Sequence, residues 1–166
     1  MKASTRVGIL ILSTCLLIPP GANAQVEQQL YGTWRLVSFV REVVGSAERT
    51  DVFGKAPQGF LHYGGDGRMS VIIVKENRPK PTEWLKMTDQ ERAELFRTMN
   101  AYAGTFKVEG SRVVHNIDIS WNGSWTGTAQ PRNFRIDGRT LTLRTDPAVS
   151  PIDGKQGTLV LVWEKV

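Results

Sequence analysis

The sequence predicts an all-β fold, a closed antiparallel up-and-down barrel with one short helix at about residues 88–100. Three observations point to it. From Tyr31 onward the chain is a succession of short runs rich in Val, Ile, Thr, Phe and Trp, residues that suit a pleated, half-buried surface. Between the runs stand Gly64-Gly65-Asp66-Gly67, Glu109-Gly110-Ser111 and Asp137-Gly138, which supply the positive-φ positions of tight hairpins. Hairpin following hairpin favours a meander that closes on itself over a two-sheet sandwich, whose cysteine pair flanking a buried Trp is missing from a chain with one cysteine. No internal repeat of fixed period suggests a solenoid or propeller.

Taken in order, the elements begin with a leader. Lys2 and Arg6 precede an apolar run from Val7 to Ile18, and Ala22-Asn23-Ala24 forms a small-residue exit, so residues 1–24 read as a secretory signal peptide and 25–166 as one barrel domain. The apolar run is shorter than the roughly 20 residues that span a bilayer, and Pro19-Pro20 ends it. The protein is therefore expected to be exported, periplasmic or extracellular, with no integral membrane segment after cleavage. Leu12-Ser13-Thr14-Cys15 is a poor lipidation signal, because Thr14 stands where a smaller residue is usual. Without Cys15 the processed chain has no thiol, which excludes disulfides, cysteine nucleophiles and Cys-based zinc sites.

The expected strands are 32–42, 49–53, 58–63, 68–75, 102–109, 112–121, 128–137, 139–145 and 157–165. One segment breaks the pattern. Thr88-Asp89-Gln90-Glu91 is a capping box, followed by Ala93, Leu95, Phe96 and Met99 at helical spacing. Its apolar side is expected to close one end of the barrel. The preceding Arg78-Pro79-Lys80-Pro81-Thr82 cannot pair inside a sheet and is a connection. The net charge of +5 is spread singly through strands and turns, without the basic, aromatic face that marks a nucleic-acid surface.

Alternation along each strand assigns an inner face, since residues two apart point the same way. It places Trp34, Leu36, Ser38 and Val40 inside, with Leu61, Tyr63, Met69, Val71, Ile73, Tyr102, Phe106 and Val108. In 112–121 it selects Val113, His115, Ile117, Ile119 and Trp121. It continues with Gln130, Arg132, Phe134, Ile136, Leu141, Leu143, Leu159, Leu161 and Trp163, although Val160 and Val162 leave the last strand ambiguous. Such a wall is mostly apolar with sparse polar points, the usual lining of a small-molecule site.

The opening Gly32-Thr33-Trp34 resembles the G-x-W segment of lipocalins, and further stretches follow in order: Phe53-Gly54-Lys55, Gly59-Phe60-Leu61-His62-Tyr63, Asp66-Gly67-Arg68-Met69-Ser70 and Ala101-Tyr102-Ala103-Gly104-Thr105-Phe106. Val114-His115, Trp125-Thr126-Gly127-Thr128 with Gln130 and Arg132, Leu141-Thr142-Leu143 and Leu161-Val162-Trp163-Glu164 complete the series. Together they resemble the bacterial and fungal lipocalin-like domain family over Leu30 to Val166. That resemblance implies a lipocalin-like barrel with a central cavity and no generally assigned ligand. In such barrels an arginine commonly packs across the first-strand tryptophan, which implies a closure made by Trp34 with Arg132 or Arg144.

The candidate ligand-binding residues are Ser38, Tyr63, Tyr102, His115, Trp121, Gln130 and Arg132. His115 offers a donor and an acceptor on an apolar face, but a core histidine satisfied by Tyr63 or Tyr102 explains it equally well. Arg132 with Gln130 can anchor a carboxylate or enolate, or Arg132 can pack on Trp34. Trp121, Trp125 and Trp84 stand at strand ends and loops, where aromatics line a cavity mouth or pack a barrel end. No G-x-S-x-G elbow or local histidine pair occurs, and no metal or cofactor is expected. The leading reading is an exported binder of a small, largely apolar molecule. Its rivals are a cofactor-free cyclase or isomerase using Tyr102, His115 and Arg132, and an envelope or partner-binding module with a packed barrel.

Overall fold

The computed structural model describes residues 22–166, so most of the expected leader lies outside the described residues. Ala22–Leu30 forms a helix, α1, which leads directly into the first strand. Eight strands close the barrel: β1 (Gly32–Val43), β3 (Gln58–Tyr63), β4 (Arg68–Val74), β5 (Met99–Glu109), β6 (Arg112–Ser120), β7 (Ala129–Asp137), β8 (Thr140–Arg144) and β10 (Gln156–Lys165). Each pairs antiparallel with the next, and β10 returns to pair along β1. Two short strands, β2 (Arg49–Asp51) and β9 (Ala148–Val149), extend the rim where Val43 faces Gly157. The hairpins turn where the sequence places glycine, with Gly110 at φ 61° and Gly138 at φ 57°, a region costly for a residue with a Cβ.

The interior cluster is the one that alternation assigns to the middle strands, with Leu61, Tyr63, Met69, Val71, Ile73, Phe106, Val113, Leu141, Leu143, Leu161 and Trp163 buried together. Two bulges correct the rest. In β1 the pairing with β10 shifts between Leu36 and Ser38, so Phe39 enters the core instead of Ser38. Val40 is buried as well but stands opposite Val160, outside the interior cluster. In β6 the pairing with β5 skips Asp118, which turns Ile119 outward to 66% exposure. A bulge adds one residue to one strand and reverses every face beyond it. The β6 bulge requires Gly104 opposite, because a Cβ there would lie 1.9 Å from the Asn116 carbonyl oxygen.

The barrel's closed end is plugged by α1. Leu30 is fully buried, and the Trp34 indole Nε1 donates to the Leu30 carbonyl at 2.7 Å. Lys165, opposite Trp34 in the register, lays its ammonium 4.3 Å from the centre of the Trp34 ring and donates to the Tyr31 and Gln29 carbonyls. The cation on the first-strand tryptophan is thus Lys165 and not Arg132 or Arg144. Geometry dictates this: Trp34 lies at the start of β1 and meets the end of β10, whereas Arg144 is drawn to Glu42 at 2.7 Å and Arg132 lies toward the other end.

The second helix, α2 (Asp89–Arg97), starts on the expected capping box: the Thr88 hydroxyl accepts from the Glu91 N–H and the Glu91 carboxylate accepts from the Thr88 N–H. It ends before Met99, which already belongs to β5. None of its residues is buried, and it rests at the side of the open end, where Arg78 ties Leu95, Thr98 and Met99 to the connection after β4. α2 is therefore not the plug, and the end at which it sits stays open. Among the described residues no helix is long and apolar enough to cross a membrane.

Candidate functional site

Aromatic rings form a continuous ladder from α2 to the closed end. Phe96 packs on Trp121, Trp121 on Trp125, Trp125 on Tyr102, Tyr102 on His115, His115 on Tyr63, Tyr63 on Phe106 and Phe106 on Tyr31, with ring centres 4.6–6.3 Å apart. These separations suit tilted and edge-to-face packing. β3, β5 and β6 supply Tyr63, Tyr102 and His115, and the loop after β6 supplies Trp125.

At the centre of the ladder His115 is 1% exposed. Its Nε2 meets the Tyr63 hydroxyl at 2.7 Å and its Nδ1 meets the Tyr102 hydroxyl at 3.0 Å. Burial, aided by the charge of Arg132, lowers the imidazole pKa to about 3, so the ring is neutral at ordinary pH. A neutral imidazole donates from one nitrogen and accepts at the other. Tyr63 is fully buried and has no other partner for its proton among the described residues, so its O–H donates to Nε2 and His115 donates from Nδ1 to Tyr102. The Tyr102 proton is then left over. Burial raises both phenols, Tyr63 well above the ordinary tyrosine value, while the Arg132 charge works against the rise at each.

Two connected spaces occupy the open half of the barrel. A cleft of about 50 Å³ lies inside, walled by Leu61, Val71, Tyr102, His115, Leu161 and Trp163 among others. Above it a wide mouth of about 740 Å³ is bounded by β2, the Gln130–Arg132 segment and the loop around β9. Trp125, Arg132, Thr145 and Leu159 line both, so the mouth funnels into the cleft. The lip of the mouth is apolar at Val149, Pro151 and Ile152, and Ile152 is 94% exposed. Arg41 pins this lip by donating to both carboxylate oxygens of Asp153, at 2.7 and 3.1 Å, and to the Lys155 carbonyl at 2.8 Å. The Arg41 bonds, with the Lys155 N–H that donates to Asp153 Oδ1 at 3.1 Å, hold the Asp153 carboxyl at a pKa of about 2.

The structure therefore gathers Tyr63, Tyr102, His115, Gln130 and Arg132, and separates the other two candidates from them. Tyr102, His115 and Arg132 line the cleft, and Gln130 and Arg132 line the mouth. Gln130 orients Arg132, accepting from its Nη2 at 3.3 Å, and the Pro131 carbonyl accepts from Nη1 at 2.8 Å. Ser38 lines neither space, because of the β1 bulge. Trp121 stands behind Trp125, beside Ile119 on an outer groove. Trp125, which belongs to no strand and which the sequence offered for a cavity mouth, lines both spaces, whereas alternation missed Phe39, which reaches the cleft through the bulge. It also missed what is unspent: the buried Trp163 Nε1 has no hydrogen-bond partner among the described residues.

A small antiparallel barrel with one plugged end and a funnel at the other is the architecture of a lipocalin-like domain. The chain belongs to that family: the lipocalin-like domain profile matches residues 31–166. Among curated proteins it is similar to the 4'-hydroxy-3'-methoxypropiophenone carrier protein ppsC of Aspergillus oryzae, with 35% identity over 109 residues, covering 59% of this chain and 96% of the relative.

Proposed function

We propose that this protein is an exported carrier that holds one small, largely apolar aromatic molecule in the funnel. The observation that carries the reading is the continuity of the wide mouth with the inner cleft through Trp125, Arg132, Thr145 and Leu159. A volume of about 740 Å³ lies within the range of ordinary small-molecule sites, roughly 300–1,000 Å³. The cleft, at about 50 Å³, admits only a substituent of the ligand. Tyr63 and Tyr102 hold the two ring nitrogens of His115, a scaffold role that leaves Arg132 as the charged feature a ligand meets. The name of the Aspergillus relative supports an aryl ketone as the first molecule to try.

The test is a fluorescence titration with 4'-hydroxy-3'-methoxypropiophenone, using a straight-chain fatty acid as comparison. Saturable quenching by the aryl ketone that is lost in Trp125→Phe is the expected result. Calorimetry on the same variant separates a lost signal from lost binding. No heat and no quenching with any aryl ketone would overturn the reading. Export is tested separately, by the N-terminal sequence of protein recovered from the host's envelope or medium, expected to begin at Gln25.

A further inference from the structure

Three unspent donors meet at the cleft. A guanidinium carries five N–H groups, and Arg132 gives two bonds to neutral oxygens of its own strand while its fork also faces the Tyr102 hydroxyl, which leaves donors to spare. The Tyr102 hydroxyl proton is left over once Tyr63 donates to His115, and the Trp163 indole N–H is buried without a partner among the described residues. All three residues line the cleft. Of the acceptors nearby, Gln130 Oε1 is taken by Arg132 and Thr145 Oγ1 by the Leu159 N–H at 3.0 Å, and the Asn100 amide on the cleft wall is a neutral group that cannot balance the Arg132 charge.

Charge points the same way. Of the other charged residues of the mouth, Arg41 pairs with Asp153 and Asp146 pairs with Arg112 from outside the mouth, while Asp51 makes no ion pair among the described residues. Asp51 is exposed on β2. Among the described residues Arg132 has no carboxylate, although it is half-buried at the neck where mouth meets cleft. A partly desolvated cation without a counter-charge is costly, and an anionic oxygen arriving with the ligand removes that cost.

We infer that the funnel takes its ligand as an anion, the phenolate of an acyl phenol, with the ionised oxygen on the Arg132 fork. This rests on the carrier reading and adds the charge state that the site selects. The chemistry suits the class: a phenol para to a carbonyl is a vinylogous acid whose anion is delocalised onto the ketone, so it ionises more readily than an isolated phenol. On binding, the phenol O–H bond breaks and its proton leaves to solvent, with no redox change. Tyr63 keeps its proton on His115, His115 keeps its own on Tyr102, and Tyr102 keeps its own as a donor.

Ionisation moves the absorption of an acyl phenol to longer wavelength, so the bound state reports its own charge. 4'-Hydroxy-3'-methoxypropiophenone is added to the whole protein one pH unit below the compound's pKa in water, and the bound spectrum is read. The phenolate band is expected to dominate, with the bound pKa lower by about 1–3 units. The 4'-methyl ether, which cannot ionise, is expected to bind at least about tenfold more weakly. Arg132→Lys should keep the band and Arg132→Gln should lose it. A phenol that binds with the neutral spectrum, or an ether that binds equally well, overturns the inference and leaves the carrier reading standing. Failure of both compounds to bind wild-type protein overturns both. Retention of the band in a folded Arg132→Gln variant, judged by circular dichroism, also overturns the role of Arg132.

Discussion

The two ends of the barrel are built on opposite terms. At the closed end every strong polar group is matched: the Trp34 indole is on Leu30, the Lys165 ammonium is on two carbonyls and the Trp34 face, and α1 covers the ring of core side chains. At the open end a guanidinium lacks an acid among the described residues, apolar residues stand in water at Val149 and Ile152, and the lip is held by partly exposed ion pairs, Arg41–Asp153 and Lys155–Glu48. The contrast teaches where stability and function are separated. Saturated contacts at one end hold the fold, and unsaturated ones at the other leave work for a ligand.

Breaking the closed end should have the largest effect. Trp34→Ala removes a fully buried indole and its bond to α1, and should lower stability by about 3–5 kcal/mol, read from urea midpoints. The same substitution should leave the funnel's ligand selectivity unchanged in whatever fraction remains folded.

The next effect belongs to the ladder between the ends. His115 has a folded pKa of about 3 against an ordinary 6.5, so between those values the unfolded chain binds the extra proton. Stability therefore falls as pH drops from about 6.5 to 3, by at most about 5 kcal/mol at 1.36 kcal/mol per unit, and levels off below. His115→Gln should flatten that slope while losing about 1–3 kcal/mol at neutral pH through imperfectly matched tyrosines. Denaturant titrations at several pH values check both, and an unchanged slope would contradict the buried neutral ring.

Smaller effects belong to the lip. Asp153→Asn should leave global stability nearly unchanged, yet raise amide hydrogen exchange across residues 146–155. Because the Asp153 carboxyl is depressed to about 2, the same loosening should develop in wild-type protein as pH falls from about 4 toward 2, since the contribution of a depressed acid is lost on protonation. The smallest change is Ile152→Ser, within about 0.5 kcal/mol in stability. It should reduce affinity for an aryl ketone only modestly, because the side chain is 94% exposed before binding.

The pattern of what was legible in the sequence follows from locality. Strands, hairpin turns and the α2 cap are written in neighbouring residues, and the middle of the barrel needed nothing else. The bulges at Val37 and Asp118 depend on partners far along the chain, so alternation ran through them and put Ser38 and Ile119 inside. Gly104 was the available signal, since a glycine within a strand marks a close backbone approach. The α1 plug was silent because Ala22–Leu30 has little amphipathic pattern and the seal is made by Leu30 at its end. His115 with its tyrosines was foreseeable as a pairing. Which nitrogen meets which hydroxyl, and hence which donor remains, was not.

The pairing of β10 along β1 bears on how the chain reaches this state. Trp34 meets Lys165, and the Val166 amide closes onto the Thr33 carbonyl, so the seam joins residues more than a hundred positions apart. On a ribosome, the first strand must wait with one edge unpaired until the last strand of the barrel emerges. Such non-local closure belongs to the slow, millisecond-to-second class of folding reactions. During that interval the exposed β1 edge, carrying Val37 and Phe39, is the place where a chaperone would bind or a second chain would aggregate.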